Sequence, residues 1–394
     1  MHYNIFSSHF KYRKPAADSF STNYGIGQLN YNPTIKEVSM ANKVTIQDIA
    51  DSLGISRNTV SKAINNTGVL ADATRDKVLK KAMEMGYKQF SYISIIDSKP
   101  ETSSQPSKKN QEIALLTSKF LDDAHFSSTM LDKFQRETSE LGYGLSIHRL
   151  LPEEIQNLAL PKSFDMKKTA GMICYEMFNY EYCKMLCELD IPILFVDCPP
   201  IGLNEPLKAD LLLMDNKSGI FSFVREMVRR KKTQIGFIGE YLHCQSFFER
   251  YMAYRNAMYL HGLTCPEEYC LLADKESERE MVSENYQAYL AERLQKLERL
   301  PDVFLCANDF VAIDTIHALH RLGYHVPQDV YLCGFDDSPG SRIIIPSLTT
   351  IHIHSQIMGF SAVHLLISRI KEPSLNYRTI YAETSLIFRE STGD

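Results

Sequence analysis

The chain has 394 residues, 44% of them hydrophobic and 23% charged, with a net charge of −5 and no tryptophan. That is an ordinary balance for a soluble globular protein and gives enough chain for two or three domains. No apolar run approaches the ~18–20 residues of a membrane span, and the amino end lacks the compact apolar stretch of a secretory signal, so a cytoplasmic protein with no membrane partner is expected.

Residues 1–42 are rich in Asn, Ser, Tyr and Phe and keep no helical or strand period. They read as a disordered extension ahead of a functional start at Met40, or as a short accessory arm whose Lys11, Arg13 and Lys14 reach phosphates. Residues 43–90 are different. In VTIQDIADSLGISRNTVSKAIN, residues 44–65, Thr45 and Asp48 have capping-box spacing. Ile46, Ile49, Ala50 and Leu53 share one helical face. Gly54 can take the left-handed backbone of a sharp corner. Ser56 caps a second helix, on which Val60 and Ile64 face inward. Arg57, Asn58, Ser61 and Lys62 are left facing out.

That outward set suits DNA. Arginine donates two hydrogen bonds to guanine and asparagine pairs bidentately with adenine. Both stand at the start of the second helix, where a recognition helix enters the major groove. Arg57, Asn58 and Lys62 are the candidate base readers. Thr45, Ser61 and Asn65 are sized for phosphate oxygens. An ordinary helical hairpin with a polar outer face is the plain alternative. Charge is unevenly placed: eight Lys/Arg against five Asp/Glu in 43–90, and thirty-one against forty-one in 91–394. A mildly basic head on an acidic body fits contact with nucleic acid at one end only.

Residues 91–111 have the Ser/Pro/Lys/Gln composition of a flexible tether. From residue 112, short apolar runs alternate with helix-length amphipathic stretches, such as that around Met130–Leu141. EIALLTS, YGLSIHRL, AGMICY, IPILFVD, LLLMD, QIGFIGE, VFLCAND and VYLCGFDD read as buried strands. The alternation predicts parallel, doubly wound sheets, in more strands than one modest sheet needs, hence two lobes. Small molecules bind at the carboxyl ends of such strands, where Asp197, Asp309 and Arg250 offer a polyol-binding set. Taken singly, Asp197 reads equally as a turn residue, Asp309 as a helix N-cap and Arg250 as a surface ion-pair partner.

No GxSxG elbow, Walker loop, complete GxGxxG or HExxH occurs; Gly25-Ile26-Gly27 is accidental. Nine cysteines lie between residues 174 and 333 without a CxxC pair or zinc spacing, and read as reduced, mostly buried thiols. No catalytic residue, cofactor or metal is expected.

Residues 43–90 resemble the headpiece of the lactose-repressor (LacI/GalR-type) family of bacterial transcription regulators. The carrying pattern is VT-x-x-DIA-x-x-x-G-I-S-x-x-TVSK-x-I-N, followed by TRDKVLKKAMEMGY, residues 74–87. The resemblance implies base contacts from Arg57, Asn58 and Lys62, and phosphate contacts from Thr45, Ser56, Thr59, Ser61 and Asn65. Leu70-Ala71 replaces the family's usual Val-Ser, so Asp72 is the expected cap of the third helix. Lys88–Ile96 does not resemble the family's hinge helix and reads as strand or loop. FLCANDFVAIDTIHALHRLGYHVPQDVYLCGFDDS, residues 304–338, with IPSLTTI, RESTG, LLLMDNKSG and IGFIGE, resembles the family's effector domain.

The resemblance thus implies an all-α helix-turn-helix head on 43–90 and a two-lobed α/β domain of the periplasmic-binding-protein type on 112–394. Asp309, Arg250 and Asp197 would contact a sugar-like effector, with Phe126 as a stacking platform. The expected protein is a homodimeric regulator, in the repressor sense, that binds double-stranded operator DNA under control of a sugar or sugar derivative. The alternative is a sugar-binding or scaffold protein with a vestigial head.

Overall fold

The structure, a computed structural model, describes residues 44–64, 70–85, 87, 111–118, 125–272 and 283–394. The 1–42 extension, Asn65, the Lys88–Ile96 stretch, the linker up to residue 110 and the Phe126 side chain lie outside the described residues.

Three helices make the head. In α1 (Ile46–Leu53), Thr45 Oγ1 accepts the Asp48 N–H at 3.3 Å and the Asp48 carboxylate accepts the Thr45 N–H at 2.7 Å. This capping box satisfies two donors that a helix start leaves orphaned. Gly54 ends the helix at φ 65°, a backbone that costs an L-residue about 1–2 kcal/mol. Ser56 Oγ then accepts the Thr59 N–H at 3.0 Å and opens α2 (Arg57–Ile64). The third helix, α3 (Asp72–Glu84), departs from expectation at its cap. The Ala71 carbonyl accepts the Thr74 and Arg75 N–H groups at 3.0 and 3.1 Å, so Ala71 holds the cap position and Asp72 is the first helical residue. Ile49, Ala50, Val60, Ala63, Ile64, Val78, Leu79 and Ala82 close a small core.

The first lobe follows as β1 (Glu112–Thr117), α4 (His125–Glu140), β2 (Gly144–Arg149), α5 (Pro152–Gln156), β3 (Thr169–Tyr175), α6 (Tyr180–Cys187), β4 (Ile193–Val196) and β5 (Asp210–Met214). Crossing on α7 (Ser218–Arg229), the chain builds β6 (Ile235–Ile238), α8 (Gln245–Leu260), β7 (Cys270–Leu271), α9 (Ser283–Gln295), β8 (Val303–Cys306), α10 (Asp309–Arg321), β9 (Tyr331–Cys333) and α11 (Pro339–Ile343). It finishes with β10 (Thr350–Ile353), α12 (Ser355–Lys371), β11 (Thr379–Ala382) and β12 (Thr384–Ile387).

One six-stranded parallel sheet runs β11-β5-β4-β3-β1-β2 and a second, four-stranded, runs β7-β6-β8-β9. β10 pairs antiparallel with β12. The central strands of the first sheet, β1, β3, β4 and β5, are buried on both faces. Ala114, Leu116, Met172, Cys174 and Phe195 pack on one side, while Ile113, Leu115, Ile173 and Leu194 pack on the other. That two-sided burial is why these strands are nearly continuous apolar runs in the sequence.

Helix α12 returns the chain to the first lobe. Gly359 lets it press against α4, since a Cβ there would collide with the Met130 carbonyl. Its first turns also carry Ile357 and Phe360, which are buried in the same hydrophobic cluster as the head. Covering a side chain the size of Phe360 contributes about 1.5–3 kcal/mol.

Candidate nucleic-acid interface and ligand cleft

On the head, Arg57 and Asn58 are exposed side by side at the start of α2, and Lys62 follows one turn later, half-buried. Among the described residues neither Arg57 nor Asn58 gives its side chain to another group of the protein. The Ser56 and Thr59 hydroxyls bond to each other at 2.8 Å at the same helix end. Hydroxyls beside helix N–H groups make an anion-accepting corner. Thr45 spends its hydroxyl on the capping box, and Ser61 is half-buried.

A second candidate site is a cleft of about 220 Å³ at the carboxyl ends of strands from both lobes. Tyr175 ends β3 and Glu176 follows it, Asp197 follows β4 and Met214 ends β5. From the other side come His243, Phe247 and Arg250 around α8, Asn308 and Phe310 after β8, and Asp336 after β9. Asp197 stands at φ 59° and its Oδ1 accepts the Cys198 and Ser246 N–H groups at 2.9 and 3.2 Å. Burial pushes its carboxyl above the usual range, against those hydrogen bonds.

Arg250 is buried and heavily engaged. Its Nε donates to Asn216 Oδ1 at 3.0 Å, Nη1 donates to the Ala307 carbonyl at 2.7 Å, and Nη2 lies 3.5 Å from Asp336 Oδ1. Its plane sits 3.6 Å from the centroid of Phe335. Burial holds Asp336 well above the usual carboxylate range; Arg250 draws it back, while Asp309, Glu176 and Asp197 push it up.

Asp309 does not line the cleft. It is fully buried at the start of α10, with Oδ2 accepting the Ser338 N–H at 2.7 Å and Oδ1 accepting the Thr350 hydroxyl at 2.5 Å. Asn308, one residue earlier, is the N-cap, bonded to the Val311 N–H. The first helical residue therefore points back beneath β9 and β10, and Asn308 and Phe310 form the wall expected of it. Asp197 and Arg250 do reach the cleft. Glu176 and Asp336 went unforeseen, although the strand-end rule that selected Asp197 applies equally to both. Among the described residues no cluster of His, Cys, Asp or Glu side chains is disposed to hold a metal ion.

The family described as "Bacterial regulatory proteins, lacI family" matches residues 45–89, and "Periplasmic binding protein-like domain" matches 224–392. The first match spans all three helices of the head, and the second runs from α7 through the second lobe to the carboxyl end. The chain belongs to the lacI family of bacterial regulators. Similar proteins are the "HTH-type transcriptional repressor PurR" of Actinobacillus pleuropneumoniae serotype 3 and its namesake of Haemophilus influenzae. Each is 26% identical over 88% of this chain and 98% of the relative. Among solved structures, a "transcriptional regulator CelR-cellobiose complex" is 22% identical with a TM-score of 0.62 over 89% of this chain and 100% of the other. The lac repressor dimer bound to operator and the anti-inducer ONPF is 19% identical with a TM-score of 0.57 over 89% and 99%. These lacI-family relatives are transcriptional regulators and not enzymes. No helix among the described residues is long and apolar enough to cross a membrane.

Proposed function

We propose that this lacI-family regulator is a cytoplasmic repressor. In this reading it binds a near-palindromic operator as a homodimer and changes its operator affinity when a small molecule, a sugar or sugar derivative, fills the cleft. Arg57, Asn58 and Lys62 read bases. Thr45, Ser56, Thr59, Ser61 and Asn65 set register on phosphates. Asp197 and Arg250 contact the effector, with Phe126 as a further contact from the first lobe. Asp309 acts behind them by positioning the turns that carry Asn308, Phe310 and Ser338. The observation that carries the proposal is the exposed Arg57-Asn58 pair on a capped, packed α2. Two donor-rich side chains are held there at a helix start, and neither has a side-chain partner among the described residues. Strand β2, an edge of its sheet among the described residues with Ile147 55% exposed, supports the two-copy reading, because such edges are normally covered.

Coupling follows from α12. It starts directly after β10 of the second lobe, packs on the first lobe and carries Ile357 and Phe360 into the head core. A shift of one lobe against the other moves the helix on which the head rests. By linkage, operator and effector then alter each other's affinity by the same factor.

A mobility-shift titration of the full chain on its selected operator tests the reading. Arg57→Ala is expected to cost about 1–3 kcal/mol on that operator and to relax base choice at one position. Equal weakening on all duplexes would contradict a base-reading role. Sequence-independent DNA affinity in the unaltered protein would favour a vestigial head.

A further inference from the structure

We propose that Phe360, on the first lobe, is a positioning residue for operator recognition: it seats the head and fixes the direction in which Arg57 and Asn58 are presented. This rests on the reading of the head as the operator reader and names the contact that aims it.

Every residue of α12 from Ser355 to Val363 is buried. A helix buried all round needs cover on each of its sides. Met358, Ala362, Leu365 and Leu366 fall at i, i+4, i+7 and i+8 and pack into the core of the first lobe. Ile357 and Phe360, at i and i+3, stand on another side. Each is 1% exposed, and they share an apolar cluster with Val78, Leu79 and Ala82 of α3. The head is part of the cover on that side of α12.

The lobe holds the Phe360 ring in place. The neighbouring Gly359 lets α12 approach the Met130 carbonyl and the Lys133 Cβ on α4. Lys133 is buried, pairs with Glu137 at 2.8 Å and has its Nζ 5.7 Å from the centroid of the Phe360 ring, within cation–π range. The His364 ring stands 4.5 Å from the same centroid. One turn beyond Glu137, Glu140 pairs with Lys80 of α3 at 2.9 Å. An apolar wedge and an ion pair at separate points tie α3 to the lobe, and α1 and α2 pack on α3 through the same cluster.

Arg57 and Asn58 stay exposed on the seated head, so the contact leaves the reading face open. A head aimed before it meets DNA loses less orientational freedom on binding than one that is aimed there. That gain is largest on a site whose base edges demand one direction. It is small on a duplex held through phosphates alone, which carry no sequence information.

The test uses the full chain with Phe360→Ala, Phe360→Leu and Ile357→Ala. Fluorescence anisotropy is read on a duplex selected from a random pool and on its scrambled counterpart, and hydrogen exchange is followed in α3 by mass spectrometry. Phe360→Ala is expected to lose at least about tenfold on the selected duplex and less than about threefold on the scrambled one, with faster exchange in α3. Phe360→Leu should restore most of the loss, because it refills the apolar seat. Ile357→Ala should repeat the Phe360→Ala pattern at a smaller size. A head that had merely unfolded would lose both duplexes alike. Equal losses on the two duplexes, unchanged exchange in α3, or a Phe360→Leu chain as weak as Phe360→Ala overturns the proposal. Selective binding that Phe360→Ala leaves intact sinks the positioning role and leaves the base-reading face standing. If the unaltered chain shows no preference, both fall.

Discussion

Replacing Arg250 by methionine removes a guanidinium and keeps an apolar stem over Phe335. Two acceptors lose their donors: Asn216 Oδ1, bonded at 3.0 Å, and the Ala307 carbonyl, bonded at 2.7 Å. A hydrogen bond from a charged donor is worth about 1.5–3 kcal/mol. Asp336, 3.5 Å from the guanidinium, loses its ion pair, and an unpaired buried charge costs about 3–5 kcal/mol. That last cost is limited, because burial has already raised the Asp336 carboxyl and it can take up a proton instead. The expected net loss is about 3–6 kcal/mol near neutral pH, a large part of the ~5–15 kcal/mol that holds a domain together. The sign with pH follows from the raised carboxyl. Its neutral form is favoured in the fold, so stability is greatest below the ordinary carboxylate range and falls as pH rises toward the raised value. Without Arg250 that fall continues to higher pH, because the guanidinium no longer draws the carboxyl down. Urea unfolding followed by circular dichroism, at acidic and at mildly alkaline pH, measures both effects. A loss below about 1 kcal/mol, or one that shrinks as pH rises, would refute the account of Arg250 as the tie holding Asp336 in the cleft wall.

Gly54→Ala isolates the helix-turn-helix corner. A Cβ there meets nothing within 4 Å, so only the left-handed backbone is penalised, by about 1–2 kcal/mol, read as lost stability in urea. Asp337 governs acid stability. Burial raises its carboxyl, but hydrogen bonds from His352, Arg342 and Arg389 outweigh that and hold it well below the usual range. Its contribution is therefore complete above about pH 4, the unfolded carboxylate value, and is lost as pH falls further. Asp337→Asn should flatten the acid limb of a melting-temperature profile, and an unchanged limb would count against the network. Cys265 is the thiol expected to alkylate first near neutral pH. A hydrogen bond with Cys270 brings it below the usual thiol range, to about 7, whereas burial pushes Cys174, Cys198 and Cys306 up. Peptide mass spectrometry after brief alkylation checks the order.

The head and eight strands were legible because each depended on a local signal. The capping-box spacing at Thr45 and Asp48, the corner at Gly54 and the runs buried on both sheet faces can be read within a few residues. What stayed hidden depended on distant partners. β7 has two residues and no pattern of its own. β11 joins the first sheet from the far end of the chain, and β10 and β12 pair across α12. The cap of α3 could not be assigned from Ala71, which supplies only a carbonyl. Asp197 was found because it ends an obvious strand. Asp309 was misplaced because its orientation is set by Ser338 and Thr350, both remote in sequence.

The central claim is that the face carrying Arg57, Asn58 and Lys62 selects base sequence. Fluorescence anisotropy of the full chain at one fixed salt concentration, on a duplex selected from a random pool and on its scrambled counterpart, tests it most directly. A preference of at least about 10³-fold for the selected duplex is predicted. Indistinguishable affinities, with the same salt dependence on both duplexes, would contradict it.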